Sequence, residues 1–151
     1  HDEARKVHVE TLVAAGAAVE GVKSPQDAIM AVMWQLNGPK RPQGLVIEVG
    51  ANDEAALELA ERLSSPAMNL RVPIVVVLPA GNIAAIDRCR GLEGVMTLTK
   101  PAKPREVVAA LAKLLSGDGA AQAAASTNRA EEQAAGRPLR ILLADDSVVN
   151  Q

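Results

Sequence analysis

A chain of 151 residues that is 48% hydrophobic and carries a formal charge of -2 can bury one domain-sized core and has no electrostatic bias toward nucleic acid. Trp34 is accompanied by no Tyr or Phe, so there is no platform for stacking bases, and no apolar stretch approaches the roughly 18 residues that span a bilayer. The first residues lack a charged-then-apolar signal pattern, and a single cysteine, Cys89, makes a disulfide framework impossible.

These features predict a cytoplasmic domain, even if a parent protein is membrane-bound, with no nucleic-acid or membrane contact of its own. For Cys89, a small buried hydrophobe on a helix is the simpler reading than a reactive thiol.

Taken in chain order, helix and strand signals alternate. Val9, Leu12, Val13 and Gly16 repeat at helical spacing and predict an amphipathic helix from about Asp2 to Ala15, with Gly16 as its stop. Val19 to Val22 reads as a short strand. Ser24, Pro25, Gln26 and Asp27 form a helix start, with serine as N-cap, proline at the first helical position and an acid in the first turn. Ala28, Met30, Ala31, Met33, Trp34 and Leu36 fill that second helix, and Asn37-Gly38-Pro39 with Pro42 end it. Leu45 to Val49 is the next strand, and a third helix runs from about Asp53 to Leu63.

The β-branched run Ile74 to Val77, bracketed by Pro73 and Pro79, is a further strand. Ile83 to about Arg90 is a weaker helix, and Val95 to Leu98 a strand. Pro104 opens a last helix in which Val107, Val108, Leu111, Leu114 and Leu115 form an apolar stripe. Residues 116–138 are rich in Ala, Gln, Ser and Gly without an apolar period, the composition of a linker. Strands alternating with helices at this spacing imply a parallel sheet covered on both faces.

Two places carry chemistry. The apolar run Ile141 to Ala144 ends in adjacent carboxylates, Asp145 and Asp146, followed by Ser147 and Asn150. Such a run suits a strand buried on both faces, and its C-terminal end is where open α/β sheets bind ligands. Hard divalent cations want oxygen ligands, and two adjacent like charges are costly without something positive between them, so Asp145 and Asp146 are a candidate Mg²⁺ site. Glu48, on a strand otherwise made of Leu, Val and Ile, must reach water, a cation or Lys100 at the strand tip, because an unpaired buried carboxylate is expensive. His1 and His8 have no partner spacing for a metal or catalytic set and read as solvated surface histidines. Asp53-Glu54 and Glu131-Glu132 read as an ordinary helix start and a solvated linker.

The segment LRILLADDSVVNQ, from Leu139 to Gln151, resembles the first strand of a response-regulator receiver domain of the kind found at the C-terminal end of hybrid sensor histidine kinases. That receiver would carry its own phosphoacceptor aspartate beyond Gln151. Within the preceding chain, Lys100-Pro101 in VMTLTKPAKPREVVAALAKLL resembles the family's loop between strand five and helix five, whose lysine binds the phosphoryl group. Glu48 stands at or within one residue of the family's phosphoacceptor aspartate. With either Glu48 or Val49 there, the acceptor is missing, and the family's serine or threonine after strand four falls on Pro79. The resemblance therefore implies a degenerate, or pseudo-, receiver over residues 1–115, a linker over 116–138, and the first strand and acidic pair of a following receiver over 139–151.

The implied fold is α/β, a flavodoxin-like doubly wound five-stranded parallel sheet of order 2-1-3-4-5, with the first strand missing from its usual place. Overlaying the two partial copies by their helix starts puts His1 where Ser147 stands. Without strand one the sheet would hold a gap of about 10 Å lined by unpaired backbone groups. Residues 139–145 are the same kind of strand and are expected to fill it, in their own molecule or in a neighbour as a strand-exchanged dimer.

Three functions compete at this point. The first is a regulatory segment of a hybrid histidine kinase in a two-component phosphorelay, a pseudo-receiver docking to the kinase's catalytic or dimerisation domains and to a neighbouring receiver. Its docking face would carry Arg88, Arg90, Lys100 and Lys103. The second is a sensor of a cyclic dinucleotide, with Lys100, Lys103 and Arg105 meeting phosphates. The third is a small hydrolase or phosphatase, for which there is no G-x-S-x-G elbow, Gly-rich phosphate loop or metal-spaced His/Cys set. No enzyme activity is expected of the chain, although its parent would be a kinase.

Overall fold

Helix starts are written into the chain as local hydrogen bonds. In the computed structural model, which describes residues 2–36, 38–51, 53–117 and 140–145, Ser24 caps α2 (Pro25–Gln35) by accepting from the Asp27 N–H at 3.1 Å. Asp53 caps α3 (Glu54–Ser64) through the Ala56 N–H at 2.9 Å, and Asn82 caps α4 (Ile83–Arg90) through the Ala85 N–H at 3.1 Å. At α5 (Pro104–Leu115), the Lys103 N–H donates to the Glu106 carboxylate at 2.8 Å. Each cap satisfies a donor that the first helical turn leaves without a partner. The first helix, α1 (Asp2–Ala14), stops at Gly16, whose φ of +90° places it in the left-handed region that suits glycine.

Between the helices lie β1 (Ala18–Val22), β2 (Gly44–Glu48), β3 (Ile74–Leu78) and β4 (Val95–Thr99), and a short 3-10 turn at Pro66–Met68 follows α3. A fifth strand, β5 (Arg140–Asp145), completes one parallel sheet of order β1-β5-β2-β3-β4. This is the flavodoxin-like arrangement, with the last strand of the chain in the position next to the first. β5 pairs with β1 from Ala18↔Arg140 to Val22↔Ala144, and with β2 from Gly44↔Ile141 to Glu48↔Asp145. The expected vacancy is therefore filled within the chain itself. Leu139, the linker residues 118–138 and the segment from Asp146 onward lie outside the described residues.

The strand order explains the burial. β2 and β3 are buried along their whole length, whereas the edge strands β1 and β4 are only partly covered. Alternation along β5 sends Leu142 and Ala144 into a core shared with α2, α3 and α4, and sends Ile141 and Leu143 into a second core with α1 and α5. One strand thus ties both layers together, and each of its large side chains, at most 3% exposed, is worth roughly 1.5–3 kcal/mol of burial.

Two sequence expectations need correction. His8 is buried, at 7% exposure, instead of solvated. It lies one turn before buried Leu12, and α1 packs on α5, β1 and β5, so the inward stripe runs through His8 and Leu12. Val13, read as part of the apolar stripe, is 53% exposed, while Val9 is half-buried. On α2 only Ala28 and Val32 are buried, leaving Met30, Met33 and Trp34 exposed. Hydrophobic spacing locates a helix, but neighbouring elements choose which stripe faces in.

Candidate functional site

The C-terminal ends of the parallel strands converge on one pole of the sheet, where open α/β folds hold their ligands. Glu48 is the last residue of β2, and its side chain is 7% exposed. Lys100 directly follows β4, where its N–H donates to the Leu78 carbonyl at 2.7 Å and anchors the loop to the end of β3. From that anchor its ammonium Nζ reaches Glu48 Oε1 at 2.8 Å. Two residues 52 positions apart are thus joined across β3, and the ion pair relieves much of the cost of burying the carboxylate.

The relief is incomplete. Glu48 Oε2 is buried without a hydrogen-bond partner among the described residues. The backbone of Asp145 stands level with Glu48 on the adjacent strand, while the Asp145 side chain and Asp146 lie outside the described residues. A buried carboxylate oxygen without a donor fits a hard cation. Among the described residues alone, no group of three or more His, Cys, Asp or Glu side chains is placed to hold a metal.

A crevice beside Glu48, lined by Ser24, Pro25, Ile47, Ala56, Leu59 and Ala144, is too narrow for water. A wider depression of about 280 Å³ lies at the opposite pole, bordered by Ala18, Lys40 and Arg140. Pro79 follows β3 and offers no hydroxyl.

The basic residues singled out from sequence lie in different local settings. Arg88 turns toward α3, where its Nε lies 2.9 Å from Glu61 Oε1 and its Nη1 pairs with Glu54. Hydrogen bonds to Glu61 and then Glu54 hold its guanidinium still further above its ordinary pKa. Arg90 pairs with Asp87 at 3.3 Å, and Lys103 and Arg105 are exposed at the start of α5. The pairing of Arg88 with α3 had a sequence signal, acids at 54 and 61 on one helix stripe, but it needed the α3–α4 packing to be seen. Cys89 is buried on α4, and that burial pushes its thiol pKa up. No helix among the described residues is long and apolar enough to cross a membrane.

A five-stranded parallel sheet of this order, with an acid at the tip of β2 and a Lys-Pro step after the far edge strand, has the fold of a signal receiver domain. Solved structures of that kind match it. A provisionally named response regulator from Chloroflexus aurantiacus J-10-fl superposes with a TM-score of 0.59 at 22% identity, covering 76% of this chain and 90% of its own. The signal receiver domain of a signal transduction histidine kinase from Syntrophus aciditrophicus does so with a TM-score of 0.60 at 18% identity, covering 84% of this chain and 92% of its own. At these identities the likeness is one of fold. No protein-family model and no curated protein matches the chain.

Proposed function

We propose that the chain is a regulatory segment of cytoplasmic two-component signalling, a pseudo-receiver that works by docking instead of accepting phosphate. The observation that carries this reading is the Glu48–Lys100 pair, at 2.8 Å and largely out of solvent. In a receiver that takes phosphate, the strand tip must present an aspartate carboxylate and the lysine must be available to the incoming phosphoryl group. Here a glutamate holds the lysine, and Pro79 stands where a hydroxyl would help. The likeness of residues 139–151 to a receiver's opening strand supports a hybrid histidine kinase as the parent, with the kinase's own domains and a neighbouring receiver as partners.

The mechanism follows from what the pair connects. By joining the tip of β2 to the loop between β4 and α5, it holds one arrangement of that loop and of the adjoining α5 start with Lys103 and Arg105. A partner that binds this arrangement is favoured, and a signal acts by shifting the balance between bound and released states. Mg²⁺, when bound by Glu48 and the aspartates, would supply counter-charge to the acidic cluster. The cyclic-dinucleotide reading loses ground because Lys100 is already engaged with Glu48.

The test is incubation of the full chain with acetyl phosphate and Mg²⁺, read by intact mass. The expected outcome is no stable adduct. A phosphoryl group on Glu48 or Asp145 would overturn the proposal.

A further inference from the structure

The outward face of α2 is apolar and open to solvent. The helix turns Ala28 and Val32 into the core, with Ile29, Ala31 and Leu36 partly buried against it. Met30, Met33 and Trp34, three and four residues apart, fall together on the other side, where they are 70%, 60% and 89% exposed. We propose that this face is an interaction surface, and that its occupant is the same face of a second copy of the chain, related to the first by a two-fold axis.

Size, composition and charge select that occupant. At these exposures the three side chains present roughly 450 Å² of surface, the size of the largest apolar patch a monomer usually leaves open. Covering it with an identical patch buries about 900 Å² in total, which falls short of a permanent dimer and suits a weak, reversible one. Trp and Met are side chains that interfaces concentrate, Trp for its large rigid area and Met for its adaptable shape. Asp27 is the one charged residue within α2, and the exposed Lys40 stands on the turn that follows, tied to the helix end by the Gly38 N–H donating to the Gln35 carbonyl at 3.1 Å. Among the described residues neither Asp27 nor Lys40 is in an ion pair. Their charged neighbours are already engaged: Arg41 donates to the Leu70 carbonyl at 2.7 Å, and Glu20 accepts from Gln35 Nε2 at 2.7 Å.

Asp27 and Lys40 flank the Met33–Trp34 step symmetrically in sequence. In an isologous pair whose axis passes beside that step, the two copies of α2 run antiparallel, so Asp27 of one copy meets Lys40 of the other, twice. The same arrangement sets the positive N-terminal end of each helix beside the negative C-terminal end of its mate. Parallel helices would instead set acid beside acid and base beside base. The face is therefore complementary to itself in charge as well as in apolar area.

The proposal does not depend on any signalling role. Its test is sedimentation of the full chain at rising concentration, with a monomer–dimer equilibrium expected at a dissociation constant on the order of 100 μM. Emission from Trp34, the single tryptophan, should shift to the blue over the same range as the indole leaves water. Trp34→Ser and Met30→Ser, both at exposed positions that the core does not use, should each weaken the dimer roughly tenfold. Val13→Ser, at an exposed apolar position on α1, should leave it unchanged. Lys40→Glu should weaken it about fivefold, and adding Asp27→Lys should restore it. A monomer at about ten times the expected constant, or a dimer indifferent to the Trp34 and Met30 changes, overturns the proposal. A dimer indifferent to Lys40→Glu overturns the antiparallel arrangement.

Discussion

Removing Lys100 alone from the Glu48–Lys100 pair should cost more than removing both partners. At 2.8 Å, two unit charges attract by about 6 kcal/mol at an effective dielectric of about 20, and by about 1.5 kcal/mol in bulk water. The Glu48 side chain is 7% exposed and that of Lys100 26%, so the pair lies between these limits, and lost hydration of the carboxylate offsets much of the attraction. Lys100→Met leaves a buried carboxylate with neither oxygen partnered, for an expected loss of about 2–4 kcal/mol. Glu48→Gln keeps the shape, removes the charge and lets the exposed part of Lys100 return to water, for a loss of about 1–2 kcal/mol. The double variant should fall short of the sum of the two by about 1–3 kcal/mol, the coupling energy of the cycle.

Urea unfolding followed by far-ultraviolet circular dichroism measures all four proteins. Trp34, being 89% exposed, is a poor reporter. A coupling energy below about 0.5 kcal/mol would refute the claim that the pair organises this pole, since solvent-exposed pairs give values of about that size or less.

Two further outcomes follow from buried groups. His8 is buried with Nδ1 lacking a partner among the described residues, so His8→Leu should raise stability by about 1–2 kcal/mol in urea unfolding; a loss would show that the imidazole makes a contact the fold needs. Burial pushes the Cys89 thiol above its ordinary value of 9.0, so the unfolded chain releases this proton at lower pH than the folded one. The folded chain then holds more protons in that window, and stability, complete below pH about 9, falls as pH rises through it. The melting temperature of Cys89→Ala should decline less between pH 8 and 10 than that of the wild type, and equal declines would exclude the thiol.

The strands were legible because parallel strands buried on both faces need unbroken apolar runs: Leu45 to Ile47, Ile74 to Val77 and Ile141 to Ala144 have no other use. The need for a middle strand was legible too, since open backbone edges in a sheet interior demand a partner and residues 139–145 were the unassigned segment of the right length. Helix faces were less so. The spacing of Val9, Leu12 and Val13 is helical, yet Val13 faces solvent and His8 does not, because α1 is rotated by its packing on α5 and β5. Met30, Met33 and Trp34 look like core residues by type, but the α2 interface is made by the smaller Ala28 and Val32. At the site, the meeting of Glu48 with Lys100 could be anticipated from two strand tips in one parallel sheet. The commitment of Arg88 to Glu61 and Glu54 could not, since it depends on how α3 and α4 sit beside each other.

The pairing of β5 with β1 and β2 joins segments far apart along the chain. Ala18 waits for Arg140 and Gly44 for Ile141, partners roughly 120 and 100 residues away. Native pairings this distant are slow to close. On a ribosome adding about 5–20 residues per second, seconds pass between the emergence of α5 and that of β5. Through that interval the edges of β1 and β2 that face β5 are without it, and unpaired strand edges are where chaperones and aggregation compete.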